Sequence, residues 1–214
     1  MVSTQRVPRF TARLAVGAVL AFASLAASIL PTASAKEVLR RGNGAEPGSL
    51  DPHRMDGAWE IEIANDLFLG LTTIDANARP IPGAAESWIT SADGLVWTFK
   101  LRPGLVWSDG SPLTAADFVF AFRRLLDPRT AAKYASLQYV IRNAAAVNAG
   151  KLPAEDLGVR APDRQTLEIT LETPTPFLPG LLSHVTAMPV PKQAVDRFGD
   201  GWVKPGQMLS NGAY

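Results

Sequence analysis

The chain has 214 residues, 47% of them hydrophobic, a formal net charge of +1 and no cysteine. Those values exclude a disordered or membrane-dominated chain, a disulfide scaffold and thiolate metal sites. Arg6, Arg9 and Arg13 are the only charges before Lys36, so the remainder is slightly acidic, which gives no electrostatic reason to expect nucleic acid or an anionic membrane as partner.

The first 35 residues have the layout of a secretory signal. The basic start leads into Leu14–Leu30, seventeen residues without a charge, then Pro31 and the small residues Ala33-Ser34-Ala35. A retained anchor is the alternative, but seventeen residues rich in Ala, Gly and Ser sit at the bottom of the spanning range. Cleavage is expected after Ala35, releasing a protein that begins at Lys36 into the periplasm or outside the cell. Without a cysteine there, it is not a lipoprotein.

Glu37–Arg41 predicts a short strand, followed by the turn-rich run from Gly42 to Gly48. From Ala58, Ile61, Ala64, Leu67, Phe68 and Leu71 recur at helical spacing, with Asp56 as expected N-cap and Gly70 as expected stop. Strands are predicted at Leu71–Asp75, Ser87–Thr90, Leu95–Leu101 and Leu105–Trp107, the middle two joined by Ala92-Asp93-Gly94. Leu95, Trp97, Phe99 and Leu101 share one strand face. Thr114 to Asp117 opens a helix that buries Phe118, Phe122, Leu125 and Leu126. Further helices are predicted at Val140–Asn148, Phe177–His184 and Pro191–Phe198. A hairpin should join Leu157–Ala161 to Leu167–Glu172 through Pro162-Asp163, and Ser210–Tyr214 reads as a loop entering a strand. The class is mixed α+β, and the abrupt end reads as that of an N-terminal fragment.

Residue chemistry points away from catalysis and metals. His53 and His184 have no partner ligand at helical spacing and read as loop histidines, and no Gly-x-Ser-x-Gly turn accompanies them. Gly42, Gly44 and Gly48 match neither a dinucleotide fingerprint nor a P-loop. Glu60 and Glu62 are expected to face solvent. Of the five tryptophans, Trp97 is expected in the core, whereas Trp59, at a helix start after a polar loop, is a candidate cleft residue.

The order of segments goes further. Glu46-Pro47-Gly48-Ser49-Leu50-Asp51-Pro52-His53, Asp66 to Leu71 and Pro82 to Trp88 follow one another. Asp93 to Arg102, Trp107 to Phe118, Pro189-Val190-Pro191-Lys192, Phe198-Gly199-Asp200 and Ser210 to Tyr214 complete the series. Together they resemble family 5 extracellular solute-binding proteins, and Asp127-Pro128-x-Thr130-Ala131, Tyr134-Ala135-Ser136, Leu137-Gln138-Tyr139 and Asp156 to Val159 are similar to its oligopeptide-binding branch. The resemblance implies a partial periplasmic-binding-protein type II-like fold. Residues 36–68 would begin the first lobe, 69–191 form a smaller inserted α+β domain and 192–214 return to the first lobe, with the second lobe missing. It implies a monomeric, non-catalytic periplasmic component without cofactor, which delivers oligopeptides to the permease subunits of an ABC importer. Dipeptides, nickel chelates or sugars, or a chaperone-like envelope role, are the alternatives. Three ligand positions are implied: Ala58 through its backbone, Asp56 near a side-chain pocket, and Tyr134 lining the cavity.

Overall fold

The computed structural model describes residues 42–212, and the architecture below lies in the unit Asn43–Tyr214. The expected signal segment, the strand at Glu37–Arg41 and the final Ala213-Tyr214 lie outside the described residues.

After an irregular segment, helix α1 spans Ala58–Leu67. A hairpin of β1 (Thr72–Ile74) and β2 (Pro80–Pro82) follows, paired in antiparallel register Thr72 to Pro82 and Ile74 to Pro80. Strands β3 (Ala85–Thr90) and β4 (Val96–Leu101) come next, then helix α2 (Ala115–Leu126) and the short helix α3 (Ala144–Asn148). Strands β5 (Val159–Asp163) and β6 (Thr166–Thr170) precede helices α4 (Leu178–Leu181) and α5 (Lys192–Phe198). The main sheet is antiparallel throughout, in the order β3-β4-β6-β5.

Alternation on β4 and β6 decides which face of this sheet is inside. Trp97, Phe99 and Leu101 are buried, as are Leu167 and Ile169, and the register sets Trp97 against Ile169 and Phe99 against Leu167. A two-residue side-chain period allows one face to be apolar from end to end. Trp97 and Phe99, two apart, stack with ring centroids 6.3 Å apart. Helix α2 packs over β5 and β6 and buries Phe118, Phe122, Leu125 and Leu126, the four residues that periodicity picks out. At its start the Asp117 carboxylate accepts the amide and the hydroxyl of Thr114, at 2.8 and 3.0 Å.

Several boundaries differ from expectation for identifiable reasons. Helix α1 ends at Leu67, with Phe68 already extended. Gly70 serves close packing instead, since a Cβ there would stand 3.1 Å from the Leu182 carbonyl. Helix α3 starts only at Ala144, because Asn143 is left-handed (φ 67°) and breaks the helical path from Val140. Leu105–Trp107 contributes a single bridge, Val106 to Pro112. The β5–β6 turn falls on Arg164-Gln165, with Asp163 inside β5. Strand β2 is the element that composition hides: two of its three residues are proline, and it survives as an outer strand of a two-stranded ribbon.

The last described residues pack back onto the first helix. Asn211 donates to the Leu69 carbonyl (2.9 Å) and accepts its amide (3.1 Å), and the Gly212 amide donates to the Leu67 carbonyl (2.9 Å). A Cβ on Gly212 would sit 2.6 Å from the Leu67 carbonyl carbon. Gly212→Ala should therefore destabilise the protein by about 1–3 kcal/mol, read from the midpoint of urea unfolding.

Candidate functional site

The segment from Asp51 to Ala58 enters α1, and two buried carboxylates hold it in place. The first is Glu60, only 3% exposed. Its Oε2 accepts the amides of Asp56 (2.8 Å) and Gly57 (2.9 Å), and its Oε1 those of Gly48 (2.6 Å) and Ser49 (3.2 Å). This corrects two expectations. Glu60 faces inward, and Gly57, not Asp56, is the N-cap of α1. The physical reason is one arrangement: an acid three residues into the helix reaches back to the cap amide, and here it collects three further donors.

The second anchor is Asp51, which binds the Arg124 guanidinium through two bonds of 3.0 and 2.5 Å, with the side chains 4% and 10% exposed. Asp51 also accepts from Trp202 Nε1 (3.2 Å) and from the His53 amide (3.0 Å). His53 is buried rather than an open loop residue. Its Nδ1 lies 3.0 Å from an Arg124 nitrogen and its Nε2 3.3 Å from the Met188 carbonyl. Burial pushes the Asp51 carboxyl up, but hydrogen bonding to Arg124 and the charges beside it outweigh that and hold it below the usual carboxylate range. Burial pushes the His53 imidazole down to about 4, with Asp51 opposing and Arg124 adding to the shift.

A histidine held neutral in the fold and basic when unfolded contributes stability above its ordinary pKa of 6.5. That contribution, on the order of 3 kcal/mol, falls away as pH drops from 6.5 toward about 4. Burial lowers His184 as well, with the same sign. Urea unfolding should give a flat stability from pH 8 to 7 and a decline between pH 6.5 and 4.5. The decline should be visibly shallower in His53→Gln.

Asp56 and Tyr134, both read from the sequence, meet at an exposed part of the molecule, with Ala58 and Trp59 next along the chain. Asp56 and Ala58 are exposed, Trp59 is 41% exposed, and Tyr134 is 37% exposed. The Tyr134 hydroxyl donates to the Asp56 carbonyl at 3.1 Å, and Lys133 forms an ion pair with the Asp56 carboxylate. The loop carrying Lys133 and Tyr134 is set by Asp127-Pro128-Arg129-Thr130, a 3-10 turn. Asp127 Oδ1 accepts the Arg129 amide (2.9 Å), and Ala131 closes the turn in the left-handed region (φ 54°). The amides of Ala58 and Trp59, in the first turn of α1, have no acceptor within the helix. Both residues are exposed.

Behind Tyr134 runs a relay that the sequence did not signal. The His184 ring meets Tyr134 edge to face, with centroids 5.8 Å apart. His184 Nδ1 accepts the Thr186 amide (3.3 Å) and lies 3.1 Å from its hydroxyl, which places the ring proton on Nε2. Buried Gln138 donates to Thr186 Oγ1 at 3.0 Å. Among the described residues no cluster of three or more His, Cys, Asp or Glu could hold a metal, and no helix is long and apolar enough to cross a membrane.

Comparison with known proteins agrees with the sequence resemblance. Residues 79–214 match the model for bacterial extracellular solute-binding proteins, family 5 Middle. Over 181 residues the chain is 50% identical to the periplasmic oligopeptide-binding protein OppA of Salmonella typhimurium, covering 84% of this chain and 33% of that one. It is 43% identical over 181 residues to the probable deoxycholate-binding periplasmic protein YgiS of Escherichia coli, covering 84% and 34%. Among solved structures, Haemophilus influenzae OppA in complex with RPPGFSPFR superposes with a TM-score of 0.78 at 45% identity, covering 80% of this chain and 34% of that one. The chain spans about a third of the length of these relatives.

Proposed function

The chain belongs to the bacterial extracellular solute-binding proteins of family 5, and from that premise we propose that it supplies one wall of an oligopeptide-holding cleft. The protein is then the periplasmic binding component of an ABC importer. It works as an exported monomer, hands its cargo to membrane permease subunits and leaves that cargo chemically unchanged. Residues 36–68 and 192–214 contribute to the first lobe and 69–191 to an inserted domain, the second lobe being the part that closes over the ligand.

The observation that carries this reading is the exposed face itself. Peptides of every sequence share amides and carbonyls, so a wall that presents main-chain groups binds them without selecting side chains. The Ala58 amide is such a donor, one residue after the Gly57 amide that Glu60 holds, and the Tyr134 hydroxyl donates to the Asp56 carbonyl two residues before it. Asp56 borders the same face, where a ligand side chain would lie.

A proline at Ala58 tests this reading with little structural cost. Proline is tolerated at the first helical position, and Gly57 already has the extended conformation (φ −101°, ψ 146°) that a following proline requires. Ala58→Pro should change unfolding stability by less than about 1 kcal/mol and weaken tripeptide binding about tenfold in calorimetry. Unchanged affinity would remove Ala58 from the site. Saturable binding of a bile acid, sugar or nickel chelate, with none of tripeptides, would replace peptide as the ligand. The relative described as probably deoxycholate-binding makes the bile acid the first compound to try. Residues 36–214 alone should bind tripeptides more weakly than micromolar (about −8 kcal/mol), because one wall leaves the far side of the ligand in water.

A further inference from the structure

Asp56 is the acidic side chain of the proposed wall, and its carboxylate is already engaged. Lys133, 77 residues further along the chain, pairs with it across the two loops that form the face. Both partners stay accessible, with side chains 64% and 40% exposed, so a ligand arriving at this face reaches either of them. The other titratable group beside Tyr134 is His184, whose Nδ1 accepts the Thr186 amide and whose ring is therefore uncharged. Asp56, Lys133 and His184 together thus carry no net charge: one carboxylate, one ammonium and a neutral imidazole.

Resting on the peptide reading above, we propose that Lys133 is a specificity-determining residue that turns the Asp56 subsite from cation-selecting to one favouring neutral or acidic ligand side chains. A ligand lysine entering here must compete with Lys133 for the same carboxylate and brings a second ammonium within a few ångströms of the first. A ligand carboxylate meets the opposite situation, since Lys133 has donors to spare beyond the one it gives Asp56. A neutral side chain disturbs nothing. Exposed ion pairs are individually weak, so the effect is a bias rather than an exclusion. It acts on discrimination between peptides, not on whether peptides bind.

The test titrates trialanine, trilysine and triglutamate into the protein and reads dissociation constants from amide shifts in NMR, where millimolar affinities are measurable. The wild type should bind trilysine most weakly of the three. In Lys133→Ala, trilysine should gain about threefold to fivefold relative to trialanine, and triglutamate should lose about threefold. Lys151→Ala, which removes the same charge from an exposed position elsewhere, should leave both ratios within twofold of wild type. Equal ratios in wild type and Lys133→Ala overturn the specificity role while leaving peptide binding intact. If the three peptides move no resonance at Asp56, Ala58 or Tyr134, the peptide reading itself falls, and the specificity role with it.

Discussion

Arg124→Met should cost about 3–5 kcal/mol of stability at pH 7. The residue lies on α2 and the carboxylate it holds lies in the entry segment, 73 positions earlier. Methionine fills much of the same volume, so the loss is not a cavity. It is the Asp51 carboxylate left buried with two neutral donors, the Trp202 indole and the His53 amide, where it previously had a bidentate cation. Breaking such a pair from one side is costly because the surviving charge has no water to return to. The variant also carries a signature in pH. Without Arg124, a group that keeps His53 neutral is gone, and the imidazolium becomes an available partner for Asp51. The gap between variant and wild type should therefore shrink as pH falls from 7 to 5. A gap below 1 kcal/mol at pH 7, or one that widens on acidification, would show that the pair does not anchor this segment.

Glu60→Ala should cost about 2–4 kcal/mol, because four backbone amides lose their acceptor at once. Glutamine is not a conservative replacement here. Each carboxylate oxygen of Glu60 serves two amides, whereas a carboxamide offers one oxygen and turns an NH2 group toward the other pair of donors. Glu60→Gln should accordingly lose at least half of what alanine loses. Both variants should weaken peptide binding beyond what stability alone explains, since the Asp56 and Gly57 amides that fix the approach to Ala58 are among those released. Urea unfolding and calorimetry on the same preparations separate the two effects. A glutamine variant as stable as wild type would contradict the assignment of four accepted hydrogen bonds.

What the sequence made legible divides along a physical line. Helix α2 and strand β4 were readable because burial leaves a period: Phe118, Phe122 and Leu125 for one, Trp97, Phe99 and Leu101 for the other. The family was readable because many short turn motifs occur in one order. The resemblance names Asp56, Ala58 and Tyr134; the structure joins Asp56 and Tyr134 by a hydrogen bond, with Ala58 two residues on, while their contact with a ligand stays a proposal. The groups that hold the face escaped. Glu60 carries a local signal, an acid three residues after a cap, but its neighbour Glu62 does face solvent and the sequence does not separate the two. Asp51 with Arg124, Lys133 with Asp56, and His184 with Tyr134 are separated by 73, 77 and 50 positions. No periodicity records such pairs, because only the tertiary fold brings them together. His53 shows the cost of that blindness, since a histidine in a polar, proline-bearing loop gives no hint that the loop is buried.

We propose that the surface carrying Asp56, Ala58 and Tyr134 receives a peptide through main-chain groups. The most direct test is an amide-resolved NMR titration of the protein with trialanine, which has no side-chain chemistry to offer. Saturable shifts should concentrate at Asp56, Ala58, Trp59, Tyr134 and His184, and leave Lys100, Arg102 and Arg164 on the far groove of the sheet unmoved. Shifts centred on that groove, or none at any peptide concentration, would contradict peptide binding at this surface.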